Sequence, residues 1–207
     1  SAIGPLKAWP ISRIFERKKG TLIRVLTGKA KGRSLKVPRG RNIRPTPAKV
    51  KAALFNVLGD QLLDSFFLDL FAGTGNVGIE ALSRGACKAV FVERNSRATA
   101  LIQENLVRCN FLENSYLFRE DVAQALDRLL NREERFDFIF LDPPYEKGVT
   151  AKMLCLLAQR PLLVKPAGEI IAQHSPREVP LSAYGPLHRK ALKSYGDTQL
   201  SFYTWQQ

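Results

Sequence analysis

The chain is poor in the residues that bind metals. Its 207 residues hold three cysteines and two histidines. Cys87, Cys109 and Cys155 are widely spaced and form no Cys-x-x-Cys pair, so no zinc or other metal site is expected. Their odd number and spacing predict reduced core thiols in a cytosolic protein. Neither His174 nor His188 belongs to a recognisable acid–histidine pair; the first is expected at a strand end and the second on the surface. No apolar run approaches the roughly 18 residues of a membrane span. No apolar segment of signal-peptide type follows the N-terminus, which argues against export. Repeats and low-complexity stretches are absent. The first residue is Ser1 rather than Met, as expected of a trimmed or altered start.

Acidic residues are almost missing from the first quarter. Residues 1–51 contain 15 Lys and Arg against one acid, Glu16, while residues 52–207 contain 17 Lys and Arg against 18 Asp and Glu. The overall charge of +13 therefore belongs to the N-terminal quarter alone. Clustered cations gain affinity for nucleic acid by releasing phosphate counterions. A basic targeting segment would account for residues 1–20 but not for residues 24–51. An organellar location stays open beside a cytoplasmic one.

Periodicity predicts an alternating chain. Residues 22–26 and 34–37 are short strand candidates flanking a basic turn, followed by a loop from Pro38 to Pro47. A helix is expected over 48–58, with Val50, Leu54, Val57 and Leu58 on one face. Strands are then expected over 66–71, 89–92, 116–118, 136–141 and 169–172. Helices are expected over 76–83, 97–109, 122–130 and 150–159, the second carrying Ala100, Leu101, Leu106 and Val107. Residues 187–194 and 198–205 read as a hairpin about Tyr195-Gly196-Asp197. Alternating strands and helices imply an α/β fold with a mostly parallel sheet covered on both faces. The boundaries expected are a lightly docked tail over 1–21, a basic β-hairpin and loop over 22–47, and a catalytic domain over 48–207.

Four successive strand ends carry polar devices, where ligands of such sheets bind. The first strand runs into Phe71-Ala72-Gly73-Thr74-Gly75, a sharp turn into a helix. Gly73 and Gly75 permit close backbone approach and unusual dihedrals. Glu93 ends the next strand, 20 residues after Gly73, where a carboxylate can accept two ribose hydroxyls. Asp121 ends the third, with Val122 beside it. An acid there can accept from an adenine amino group, cap the following helix, or both. A ligand containing ribose and adenine satisfies all three, and a nicotinamide dinucleotide would do so equally well.

The fourth strand end, Asp142-Pro143-Pro144-Tyr145, discriminates. An exocyclic amine on a base is a weak nucleophile because its lone pair is delocalised into the ring. The Asp142 carboxylate and the Pro143 carbonyl can accept its two hydrogens, and proline rigidity fixes those acceptors. Tyr145 can stack on an extruded base. This arrangement suits methyl transfer from S-adenosylmethionine to an amine and has no use in hydride transfer.

With these residues in place, the chain resembles the RsmD-type bacterial methyltransferases that modify guanine N2 in small-subunit (16S) ribosomal RNA. The resemblance runs from about Arg24 to the C-terminus. It rests on Arg24–Gly28, Gly32-Arg33, Arg44-Pro45-Thr46, Leu54-Phe55-Asn56, the Asp69–Gly78 loop, Asp142–Tyr145 and Tyr195–Thr198. It implies a Rossmann-like class I methyltransferase fold, with a seven-stranded sheet ending in an antiparallel hairpin. It implies S-adenosylmethionine held by Arg44, Thr46, Asp69, Phe71, Gly73, Gly75, Glu93, Asp121, Val122 and Asp142. The substrate it implies is ribosomal RNA in a partly assembled small subunit. The charge excess of the N-terminal quarter makes Lys29, Lys31, Arg33, Lys36, Arg39 and Arg41, flanking the hairpin and its exit loop, the expected phosphate contacts. A monomer without metal is expected. Two alternatives remain. One is an adenine-N6 DNA methyltransferase, which shares the Asp-Pro-Pro-Tyr tetrapeptide but would need a target-recognition domain. The other is a non-catalytic RNA-binding assembly factor that kept the fold.

Overall fold

The computed structural model describes residues 22–38, 46–144 and 148–206. Arg39, Arg41, Arg44, Tyr145 and the tail over 1–21 lie outside the described residues.

Two strands, β1 (Leu22–Arg24) and β2 (Ser34–Lys36), pair antiparallel. Helix α1 (Ala48–Leu58) follows Pro47, which carries no side-chain cap. Then come β3 (Phe66–Leu70), α2 (Asn76–Ser83), β4 (Lys88–Val92), α3 (Ser96–Cys109), β5 (Ser115–Phe118), α4 (Val122–Asn131), β6 (Phe136–Leu141) and α5 (Val149–Ala158). The chain finishes with β7 (Val164–His174), β8 (Ala183–Tyr184), β9 (Leu187–Tyr195) and β10 (Thr198–Trp205). The strand order is β5-β4-β3-β6-β7-β10-β9-β8. The first five strands in that order are parallel, and β10, β9 and β8 close the sheet antiparallel. The seven strands expected are joined by an eighth of two residues at the β9 edge.

Both faces of the parallel part of the sheet are buried, which is why its strands read as nearly continuous apolar runs. Phe67, Phe91, Phe138, Phe140 and Ile171 point to one face, with α1, α2 and the hairpin. Leu68, Leu70, Val90, Ile139, Leu141 and Ile170 point to the other, with α4 and α5. Asp69 and Gln173 alternate with the second set, so each lies on the first face.

Several expectations shift. On α1 the buried stripe is Val50, Lys51, Leu54, Phe55 and Leu58, and Val57 is only partly buried. On α3 the buried residues are Ala98, Thr99, Ile102, Asn105, Leu106 and Cys109, while Ala100 is exposed and Val107 is 45% exposed. The sequence offers apolar residues on two flanks of this helix, and packing selects one. Strand β7 begins five residues before the segment expected, because Pro166 and Gly168 mask its start. The ladder is irregular there, between Phe136 and Phe138 of β6. Of the three thiols only Cys109 is buried; Cys87 and Cys155 are exposed, contrary to the expectation of core thiols. His174 ends β7 as expected, and His188 is half-buried rather than free on the surface.

The hairpin is docked rather than appended. Strands of three residues cannot stand alone in water. Here Val25, Ala30 and Leu35 enter the core beside α2. The Glu80 carboxylate accepts from Leu26 N at 2.8 Å and Thr27 N at 3.0 Å. Lys29 N and Ala30 N donate to the Ser83 carbonyl and hydroxyl at 2.7 and 2.9 Å. Gly28, at φ +83°, lies so close to α2 that a Cβ there would sit 1.7 Å from the Ser83 carbonyl oxygen.

Candidate active site

The strand order reverses between β3 and β6. Chain direction carries β3 to β4 and β5 on one side, and β6 returns to the other side of β3. A crevice opens at such a switch point, beyond the carboxyl ends of the strands. Leu70 pairs with Leu141, so Phe71 and Asp142 leave the sheet side by side. A cavity of about 930 Å³ occupies this place. Thr46, Asp69, Phe71, Gly73, Glu93, Asp121, Val122, Asp142, Pro143 and Pro144 all line it. Gly75 does not line it; its left-handed turn (φ 75°) starts α2 from below.

Phe71 adopts φ 62°, a left-handed conformation that costs a non-glycine residue energy and recurs at functional turns. After it the chain bends at Gly73 (φ 56°) and Gly75. The turn is held by acids. Gly73 N donates to Glu93 Oε2 at 3.0 Å, and Asn95 N donates to Glu93 Oε1 at 2.8 Å. Gly78 N donates to Asp69 Oδ2 at 2.9 Å. Gly78 also lets α2 press on β4, since a Cβ there would lie 2.4 Å from the Phe91 ring. Asp121 caps α4 by accepting from Ala123 N at 3.0 Å, which leaves its carboxylate at the cavity rim.

Asp142 follows β6. Its Oδ2 accepts from Gln173 Nε2 at 2.8 Å and faces the Thr46 hydroxyl at 3.5 Å. Loss of water pushes the Asp142 carboxyl up to about 7, against the lowering effect of these two donors. Asp69 is likewise raised to about 7, first by burial and then by Asp142 and Glu93, with the Gly78 amide opposing. Five acids (Asp69, Glu93, Glu120, Asp121, Asp142) and two cations (Arg94, Lys152) line the cavity. A cationic ligand carrying ribose and a purine fits this charge. A dinucleotide does not: its diphosphate would meet carboxylates already bonded to the Gly73 and Gly78 amides.

Several residues here escaped the sequence reasoning. Asn76 lines the cavity and links two elements, accepting from Lys51 Nζ at 2.7 Å and donating to the Thr46 carbonyl at 3.4 Å. Lys51 pairs with Glu80 at 2.8 Å, with side chains 2% and 0% exposed. Burial lowers the Lys51 pKa while Glu80 raises it. The clue available was Lys51 falling on the apolar stripe of α1. Gln173 had no such clue. Of the expected phosphate contacts, Lys29, Lys31 and Arg33 are exposed. Lys36 pairs with Glu104 at 2.7 Å, and the Arg33 guanidinium donates to the Arg108 carbonyl. Among the described residues no cluster of three or more His, Cys, Asp and Glu suits a metal, and no helix is long and apolar enough to cross a membrane.

The family described as "Conserved hypothetical protein 95" matches residues 23–204. The Bacillus subtilis protein YlbH is 39% identical over 182 residues, covering 87% of this chain and 98% of its own. The ribosomal RNA small subunit methyltransferase D of Buchnera aphidicola (strain APS) is 29% identical over 175 residues, covering 84% and 90%. Among solved structures, a hypothetical protein of Thermus thermophilus superposes with a TM-score of 0.74 at 33% identity, covering 87% of this chain and 98% of that one. The yhhF protein of Escherichia coli gives 0.76 at 26% identity, covering 90% and 99%. The match over nearly the whole described chain and the shared class I sheet lead to one conclusion: the chain belongs to this family, the RsmD-type methyltransferases.

Proposed function

We propose that this protein methylates the exocyclic N2 of a guanine in small-subunit ribosomal RNA. It is an S-adenosylmethionine-dependent rRNA methyltransferase, as its family relatives are named. The guanine-N2 assignment, the residue roles and the state of the substrate are our own. The observation that carries the assignment is Asp142, fixed through Oδ2 beside the turn after β3.

S-adenosylmethionine supplies a methyl group made electrophilic by a sulfonium. The chain's part is to hold and orient. Phe71, Gly73 and Val122 shape the cofactor cavity, Glu93 faces the ribose, and Asp121 faces the adenine amino group, with Asp69 and Thr46 completing the lining. Arg44 is proposed to join Thr46 at the entrance. With Oδ2 engaged by Gln173 and Thr46, Asp142 offers its other oxygen to one amine hydrogen. The Pro143 carbonyl takes the other, and Tyr145 stacks on the base. Holding both hydrogens turns the nitrogen lone pair toward the methyl and stabilises the positive charge that grows on the amine.

Lys29, Lys31 and Arg33, exposed on the hairpin turn, contact phosphate, with Arg39 and Arg41 beyond them. Lys36 supports the turn through Glu104 instead of meeting phosphate freely. We place the enzyme in the cytoplasm as a monomer acting on a partly assembled small subunit. Incubation with labelled S-adenosylmethionine and small subunits from a deletion strain, then nucleoside mapping, tests the assignment. Label on guanine N2 is expected. Label on adenine N6, or on DNA in place of RNA, would overturn it.

A further inference from the structure

The tip of the basic hairpin lies far from the cavity. Helices α2 and α3 both start at the cavity, where Asn76 and Asn95 line it, and run away from it. The hairpin turn is fastened to their other ends. Lys29 N donates to the carbonyl of Ser83, the last residue of α2. The Arg33 guanidinium donates to the Arg108 carbonyl in the last turn of α3. At about 1.5 Å per residue, Ser83 lies about 10 Å from Asn76, and Arg108 about 20 Å from Asn95. Strand β4 agrees: its five residues, ending just before the cavity-lining Glu93, span about 16 Å.

Lys29, Lys31, Arg33 and Arg108 are all exposed at this far end. Eight other cations of the described residues pair with acids, and none of these four does. We infer that these four side chains form a second RNA-binding site, which takes phosphates remote from the methylated base. This rests on the rRNA reading above and adds where the RNA must reach. A stacked strand advances about 3.4 Å per nucleotide, so the gap amounts to about three to six nucleotides. One RNA has to bridge it, with a base in the cavity and phosphates at the end of α3; a lone nucleotide engages only the cavity. Arg108 joins the site although it lies outside the basic N-terminal quarter. A cation at the end of α3 also suits the helix dipole, but that role alone would leave RNA affinity untouched.

The test maps RNA cleavage by iron–EDTA tethered to one introduced cysteine, with the exposed Cys87 and Cys155 changed to Ser. The probe sits at the tip in Lys31→Cys. As the reference it sits in the first turn of α3, in Arg97→Cys. Each labelled protein is first shown to methylate small subunits, which reports an intact fold; Lys29→Cys replaces Lys31→Cys if that variant is inactive. In small subunits the Arg97 probe should cut beside the methylated nucleotide. The tip probe should cut a separate set of nucleotides, at least about three positions away. Arg108→Ala, without a probe, should flatten the log–log salt slope of subunit affinity by about 0.7 and leave kcat unchanged. The inference is overturned if both probes cut the same nucleotides, or if the tip probe cuts nothing where the Arg97 probe cuts. An unchanged slope in Arg108→Ala overturns it as well. Wild type that places no methyl on small-subunit RNA would instead refute the proposed function itself.

Discussion

Two polar clusters lie on the same face of the sheet and are built on opposite rules. Around Glu80, charges are buried in matched pairs. Its carboxylate meets Lys51, Arg84 and two hairpin amides, and Lys51 also donates to Asn76 and the Arg24 carbonyl. Around Asp142, acids gather without a buried cation among the described residues, two carboxyls are raised to about 7, and the Gln173 oxygen has no partner. Burial alone would favour pairing in both places. The first cluster is complete in itself and serves to hold the hairpin, α1 and α2 together. The second gathers acids around an open cavity, a lining that suits a ligand bringing positive charge.

The comparison breaks most visibly if its two centres are removed. Asp142→Ala should lower kcat by roughly 10³-fold while changing the S-adenosylmethionine dissociation constant little, as read by single-turnover transfer and calorimetry. Near wild-type turnover would put the amine's acceptor elsewhere. Lys51→Met should do the reverse, lowering stability by about 3–5 kcal/mol because Glu80 stays buried with one cation fewer. Urea denaturation checks this, and a loss under about 1 kcal/mol would mean that Arg84 and the hairpin amides suffice.

Finer tests address the acids. Glu93→Ala should weaken cofactor binding by about 1.5–3 kcal/mol. Part of that loss comes from releasing the Gly73 amide, so Glu93→Gln, which can still accept from it, should lose less. The raised carboxyls predict opposite pH trends for activity and stability. Asp142 must be ionised to accept, so kcat should fall as pH drops through about 7, a value belonging to the Asp69–Asp142 pair. The folded state, with pKa values above the unfolded value of about 3.9, binds these protons more tightly. Their contribution to stability is full below about 4 and is lost as pH rises through about 7. The Tm of the ligand-free protein should therefore decline between pH 5 and 8, and less so in Asp142→Asn. The smallest effect belongs to the hairpin turn. Replacing Lys29, Lys31 and Arg33 by Ala should flatten the log–log salt slope of RNA affinity by about 2, at about 0.7 per phosphate. An unchanged slope would mark the turn as a solvated face.

What was legible in the sequence follows a physical divide. The parallel strands, the glycine turn and the strand-end acids Glu93, Asp121 and Asp142 announce themselves because their signals are local: continuous apolar runs, and a polar residue where each run stops. The docking of the hairpin on α2 was not legible, because it joins residues more than 50 positions apart. Glu80 looks like any helix acid, and Lys51 like a solvated cation, until both are found buried. Gln173 is one polar residue at the end of a strand, and only its neighbour Asp142 gives it meaning. On α3 Leu106 is buried as expected, but Ala100 and Val107 are exposed while polar Thr99 and Asn105 are buried, a choice that only packing makes. The proposed roles of Arg39, Arg41, Arg44 and Tyr145 rest on sequence alone.

The Glu80 carboxylate also limits how the protein can be cut. A chain begun at Ala48 would keep every strand of the large sheet and nearly all of the cavity wall. It would lose the two backbone donors that the hairpin gives to Glu80 and the Arg24 carbonyl that receives Lys51. It would also uncover the α2 surface that Val25, Ala30 and Leu35 seal. The basic hairpin of β1 and β2 is therefore not portable: its contacts to α2 and α1 are lost if it is grafted elsewhere, and its deletion leaves Glu80 without two of its donors. Its docking surface is built jointly by α1 and α2, through Lys51 of the one and Glu80 of the other.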